Sequence, residues 1–161
     1  MTPVSIGTKE EMMTRNIPLA AILATSAAIL AGTPALAGSC PAGQTIANPL
    51  PGAPMAPAMV TDDLIGSVDL QKEIEVNNRD LRLRRLVVQP GGIVPLHSHV
   101  GRPALIITVS GEVTEYRSSC AVGIVHKAGE VSSESDGISH WWKNTGRVPA
   151  VLLSADVKAR D

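Results

Sequence analysis

From Asp62 onward the chain is written in short apolar runs, each closed by a turn signal, and no segment sustains a helical period. The runs "ALIITVSG", "EVTEYR", "CAVGIVHK" and "VPAVLLSADV" read as strands separated by Gly, Ser or Asn-Thr-Gly. That rhythm confines the chain to an all-β sandwich or barrel. "LRLRRLVVQ" alternates at Leu81, Arg82, Leu83 and Arg84, then slips by one at Arg85, as at a β-bulge. "LIGSVDLQKEIEVN" reads equally as a strand or a short helical turn. The length, 161 residues, suits one domain with a real core. With no Phe, two Trp and one Tyr, that core must be aliphatic. A net charge of -1 without a basic patch argues against nucleic-acid binding.

The first 37 residues read as a signal peptide. "NIPLAAILATSAAILAGTPALA" follows Arg15 and ends in Ala35-Leu36-Ala37, an A-x-A cleavage pattern. Thr25, Ser26 and Pro34 interrupt the apolar stretch, which disfavours a retained membrane helix. The expected division is a signal over 1–37, a proline-rich segment over 38–60 and a barrel domain over 61–161. The mature chain is then periplasmic or secreted, with no membrane attachment once the signal is cleaved. Both cysteines, Cys40 and Cys120, fall in the exported part, where an isolated pair is more often bonded than free. A bond between them would pin the stretch "CPAGQTIANPLPGAPMAPAM", whose prolines forbid regular structure, against the domain.

"GGIVPLHSHVGRPALIITVSGEV" carries the chemistry. On a strand His97 and His99 face the same side, roughly 6.6 Å apart along the chain, so both imidazoles can reach one metal ion. A pair of surface histidines on an edge strand is the plainer reading of these two residues alone. Their surroundings resemble the cupin superfamily. The first cupin motif runs glycine, five residues, His-x-His, then a glutamate followed by six residues and a glycine; Gly91, His97, His99 and Gly111 match it. The second runs Pro-x-Gly, two residues, His, three residues, Asn; Gly137, His140 and Asn144 match it, with Ser135 in place of proline. The resemblance implies a double-stranded β-helix, a jelly-roll barrel, with a divalent metal held by His97, His99 and His140. It also exposes a departure, because Ala104 stands where the family glutamate would be. Three neutral ligands leave the ion its full +2 charge, a stronger Lewis acid than with a carboxylate bound.

Other polar residues are candidates for the pocket. Glu134 reads as a solvated turn carboxylate or as a base behind the ligands. Tyr116 either hydrogen-bonds in the pocket or packs across strands. Arg102 is a turn arginine that would steer an anion if it faced the barrel mouth. His126, in phase with Val122 and Ile124, reads as structural. Trp141 and Trp142 must face opposite ways, one of them as a pocket wall. The implied function is an exported, metal-binding cupin, a dioxygenase-type oxidoreductase acting on a small molecule. The alternatives are a metal-dependent lyase or isomerase and a non-catalytic ligand- or metal-binding cupin. Fe(II) is the favoured ion, with Zn(II), Mn(II), Ni(II) and Cu(II) open, since imidazole suits most of them. The expected partner is a small-molecule ligand or substrate, with homodimerisation left open. No residue is assigned a catalytic role.

Overall fold

The computed structural model describes residues 38–160; the expected signal peptide lies outside the described residues. Eight strands and one short helix follow in the order β1 (Ala58–Asp69), α1 (Leu70–Ile74), β2 (Arg79–Ser98), β3 (Ala104–Ser110), β4 (Glu112–Arg117), β5 (Ile124–Lys127), β6 (Val131–Glu134), β7 (Ser139–Lys143) and β8 (Ala150–Ala159). The undecided "LIGSVDLQKEIEVN" is both things: strand to Asp69, then one helical turn. Asp69 caps that turn by accepting from the Gln71 amide, and Glu75 ends it in the left-handed region.

The strands form one antiparallel sheet in the order β5-β4-β7-β2-β8-β3-β6, with β1 added along β2. This is a nearly closed jelly-roll barrel, as the β pattern and the family resemblance imply. Gly111, between β3 and β4, has φ +72°, and a Cβ there would meet the Pro149 carbonyl oxygen at 2.6 Å. Only glycine fits that turn. Asn144 secures the end of β7: its side-chain amide donates to the Val88 and Val148 carbonyls, and its own carbonyl accepts from Gly91.

The core is aliphatic and is closed by a single aromatic: Leu86, Val88, Ile106, Val113, Ala150 and Leu152 pack with Trp142. The register shows how the inner face is layered. Val88 pairs with Ala150, Leu86 with Leu152, Arg84 with Ser154 and Arg82 with Asp156. On the other side of β8, Thr108, Ile106 and Ala104 continue the last three layers. The inner face therefore runs from apolar at one end to charged at the other.

One sequence expectation changes here, and one open question is settled. β2 runs against β8 without a break from Arg79 to Val88, so there is no bulge at Arg85. The irregularity lies on β1, between Leu64 and Gly66. Moreover, Arg82 and Arg84 turn inward, while Leu81 and Leu83 are 41% and 38% exposed. The arginines are held there by buried Asp156, which lies 74 residues from Arg82 in sequence and which no local pattern reveals.

The entry segment is fastened as expected. Cys40 and Cys120 form a disulfide; Thr45 bridges Cys120, and the Asn48 side chain donates to the Cys120 carbonyl at 2.9 Å. Closing a loop with a sequence separation of 80 contributes roughly 4 kcal/mol on the chain-entropy model.

Candidate metal centre

β2 and β7 lie side by side with His97 directly opposite His140, and His99 follows just past the end of β2. The three imidazoles converge. The Nε2 atom of His97 lies 3.1 Å from that of His99 and 3.0 Å from that of His140. The partners of the other ring nitrogens fix the tautomers. His97 Nδ1 donates to the Pro95 carbonyl and His99 Nδ1 to the Arg102 carbonyl, each at 2.8 Å. His140 Nδ1 faces Glu115 Oε1 at 2.5 Å and Glu134 Oε2 at 3.1 Å. Trp142 Nε1 also points at His140 Nδ1, at 3.1 Å. The carboxylate prevails over it, because hydrogen bonds to ionised acceptors are roughly twice as strong as neutral ones.

With every Nδ1 carrying the proton, all three Nε2 atoms present lone pairs to one another. Their close approaches are therefore not hydrogen bonds. Burial, then the charge of His140, pulls the His97 pKa down to about 3 and that of His99 to about 4. A proton is a poor occupant of this cluster, and a cation with empty orbitals fits it. With metal–nitrogen bonds of about 2.1 Å, separations of 3.0 and 3.1 Å correspond to nitrogen–metal–nitrogen angles of about 90–95°. A regular tetrahedron at that bond length would need roughly 3.4 Å.

Acidification should unfold the metal-free protein through these histidines. An unfolded histidine titrates near 6.5, whereas folded His97 and His99 stay neutral down to about 3 and 4. Below pH 6.5 the unfolded state binds the extra protons, so stability is full above that pH and falls steadily toward pH 4. Melting curves across this range check the prediction, and a flat profile from pH 7 to 4.5 would refute it.

Behind His140 lies a buried polar network. Glu115, fully buried, accepts from Arg117 Nε at 2.6 Å and binds His126 Nε2 at 2.9 Å. Arg117 continues to Ser132 and to Glu134 Oε1 at 3.3 Å. Burial pushes the Glu115 carboxyl up, but hydrogen bonds from His126 and His140 and the Arg117 charge outweigh it, leaving Glu115 well below the ordinary range. Glu134 goes the other way, raised by burial and by the charge of Glu115. Glu115 is thus the ionised carboxylate that orients His140, the outer partner a metal-binding imidazole usually has. Replacing Glu115 with Gln would aim an amide N–H at His140 Nδ1 and drive its proton to Nε2, blocking the lone pair. Metal affinity should fall about 10–100-fold, measurable by competition with a chromophoric chelator; unchanged affinity would rule out this role for Glu115.

The candidates from sequence distribute as follows. Glu134 is fully buried, where a solvated turn carboxylate was the simpler expectation; Arg117 and Ser132 draw it inward. Arg102 is half-buried and not a free turn arginine, with Nη2 3.4 Å from His99 Nε2 and Nη1 3.8 Å from Asp156. Tyr116 lies on the opposite face of β4 from Glu115 and stacks on Trp141, with centroids 4.2 Å apart. Trp142 is the inward tryptophan, 2% exposed. His126 is buried and held by Glu115, apart from the three converging histidines. Ala104 faces inward between Glu134 on β6 and Asp156 on β8, so two acids border the missing glutamate's place. Glu115, Arg117 and Asp156 went unnoticed in the sequence. The one available signal was their phase: Glu115 and Arg117 alternate with Val113 on one face of β4.

No family model matches the chain. It is 32% identical over 102 residues to nectarin-1 of Nicotiana langsdorffii x Nicotiana sanderae, covering 59% of this chain and 44% of that protein. Germin-like protein 1 of Brassica napus is 28% identical over 81 residues, covering 48% of this chain and 39% of that protein. The chain therefore spans less than half the length of these curated relatives. Among solved structures, a predicted oxalate decarboxylase from Thermotoga maritima superposes with a TM-score of 0.50 at 20% identity, covering 65% of this chain and 92% of that one. The barrel order and this superposition show a cupin fold, with His97, His99 and His140 where the two half-motifs place them.

Proposed function

We propose that this chain is a metal-dependent cupin that holds one divalent ion on His97, His99 and His140 and acts on a small molecule as a dioxygenase-type oxidoreductase. The carrying observation is the convergence of three Nε2 lone pairs, that of His97 lying 3.1 Å from His99 and 3.0 Å from His140, with every Nδ1 tied to an acceptor. Separations of 3.0 and 3.1 Å are shorter than the roughly 3.4 Å a tetrahedral Zn(II) site would want, so Zn(II) is the less favoured ion. Fe(II) is the ion we favour, ahead of Mn(II) and Ni(II). When bound it supplies Lewis acidity and one-electron redox chemistry.

The chain's own residues do the rest. Pro95, Arg102 and Glu115 hold the ligand rings in the binding tautomer, and Trp142, Leu86 and Leu152 keep the adjoining space dry. With Ala104 in place of an acid, the nearest ionised carboxylate, Glu115, acts through His140 and not on the ion. An oxidising compartment, periplasmic or secreted, belongs to the same proposal and is supported by the Cys40–Cys120 bond. Elemental analysis of the purified chain tests the metal reading: one chelator-removable ion per molecule is expected, and none retained after reconstitution would overturn it. Oxygen uptake by the iron-loaded protein with a panel of small organic molecules tests the reaction class.

A further inference from the structure

Beside His97 the barrel encloses a cavity of about 200 Å³, small against the roughly 300–1,000 Å³ of drug-sized sites. Its wall is two-sided. Leu86, Val94, Trp142 and Leu152 form an apolar floor, and one register layer further along the same strands stand Arg84 and Ser154, with Arg102 nearby. Arg84 is held on one side by Asp62. Its Nε, the Nε of Arg102 and the hydroxyl of Ser154 are buried without a hydrogen-bond partner among the described residues. Buried donors are costly to leave without an acceptor, so three around one cavity point to a missing one.

The surrounding charges agree. Arg82, Arg84 and Arg102 all draw on buried Asp156, at 2.7, 3.8 and 3.8 Å. Asp156 thus serves three guanidiniums, with Asp62 as a second carboxylate on Arg84. Burial and the neighbouring Arg84 also pull the Arg102 pKa below its ordinary value, as two crowded guanidiniums must.

We infer that this cavity binds a small monocarboxylate with a compact apolar body, its anionic end on Arg84, Arg102 and Ser154 and its body on the Leu86–Trp142–Leu152 floor. This names the ligand class of the metal site proposed above and rests on that reading only for what happens to the ligand once bound. The arginines and serine select charge, and the floor selects against small dianions that leave it uncovered. A neutral amide of the same shape leaves the guanidinium charge unanswered.

Calorimetry on the full chain with benzoate, benzamide and oxalate decides it, with and without a chelatable divalent ion loaded. In the metal-stripped protein benzoate should bind at least 10-fold more tightly than benzamide and more tightly than oxalate. Arg84→Met should weaken benzoate about 10–100-fold, the loss of a charged hydrogen bond, while leaving benzamide unchanged. Ser154→Ala, which keeps the fold if Arg84→Met does not, should weaken benzoate several-fold. Equal affinity for benzoate and benzamide, or benzoate binding untouched by both variants, overturns the inference. So does benzoate binding that appears only with metal loaded and ignores Arg84, because the anion would then sit on the ion. A chain that takes up no metal but still binds benzoate through Arg84 would defeat the metal reading and leave this one standing.

Discussion

His140→Ala is expected to lose most of its bound divalent ion, with affinity reduced by more than about 100-fold, because removing an outer partner alone costs about 10–100-fold and here a ligand is removed. Two imidazoles remain, and Glu115 loses the ring it orients. His97→Ala should behave alike, since its Nε2 lies within 3.1 Å of both others. His126→Ala is the control: it touches Glu115 and not the cluster, so it should cost stability yet keep its metal. Ala104→Glu tests the departure from the family pattern. A carboxylate reaching the ion should raise affinity, but wedged between Glu134 and Asp156 it should also lower the melting temperature of the metal-free protein. Elemental analysis of the four dialysed variants reads out the metal, and thermal melting of metal-free His126→Ala and Ala104→Glu reads out the stability. Full occupancy in His97→Ala and His140→Ala would falsify the site.

The second large effect concerns stability. Arg117→Met should destabilise the protein by about 3–5 kcal/mol, the usual cost of leaving a buried charge without its partner. Arg117 is the guanidinium shared by Glu115 and Glu134, both fully buried. Without it the ionised Glu115 keeps only His126, His140 and the more distant Ser132 hydroxyl as partners. For a domain of this size the melting temperature should fall by more than about 10 °C. Adding Glu134→Gln to Arg117→Met should recover part of the loss by removing one of two competing acids, a coupling that a double-mutant cycle measures directly. A cost below 1 kcal/mol, or no recovery, would mean that Glu134 is already protonated and Arg117 serves mainly as packing.

Much of this was legible in the sequence. Turn signals and alternation specified strands, because local chemistry governs where a chain turns and which residues share a face. The spacing of His97 and His99 put two imidazoles on one side, and the glycine at 111 marked a turn that no other residue fits. The half-motif around His140 supplied the third imidazole. What the sequence left undecided is which side of each strand is the inside. Alternation with a period of two is unchanged by a one-residue slip, so "LRLR" reads the same with leucines or arginines buried. Asp156, brought opposite Arg82 across β8, settles it in favour of the arginines. The same holds for Glu115, 25 residues from His140 in sequence, and for Arg84 beside Ser154. A buried charge is stable only with a partner, and the partners come from distant strands that only the closed barrel brings together.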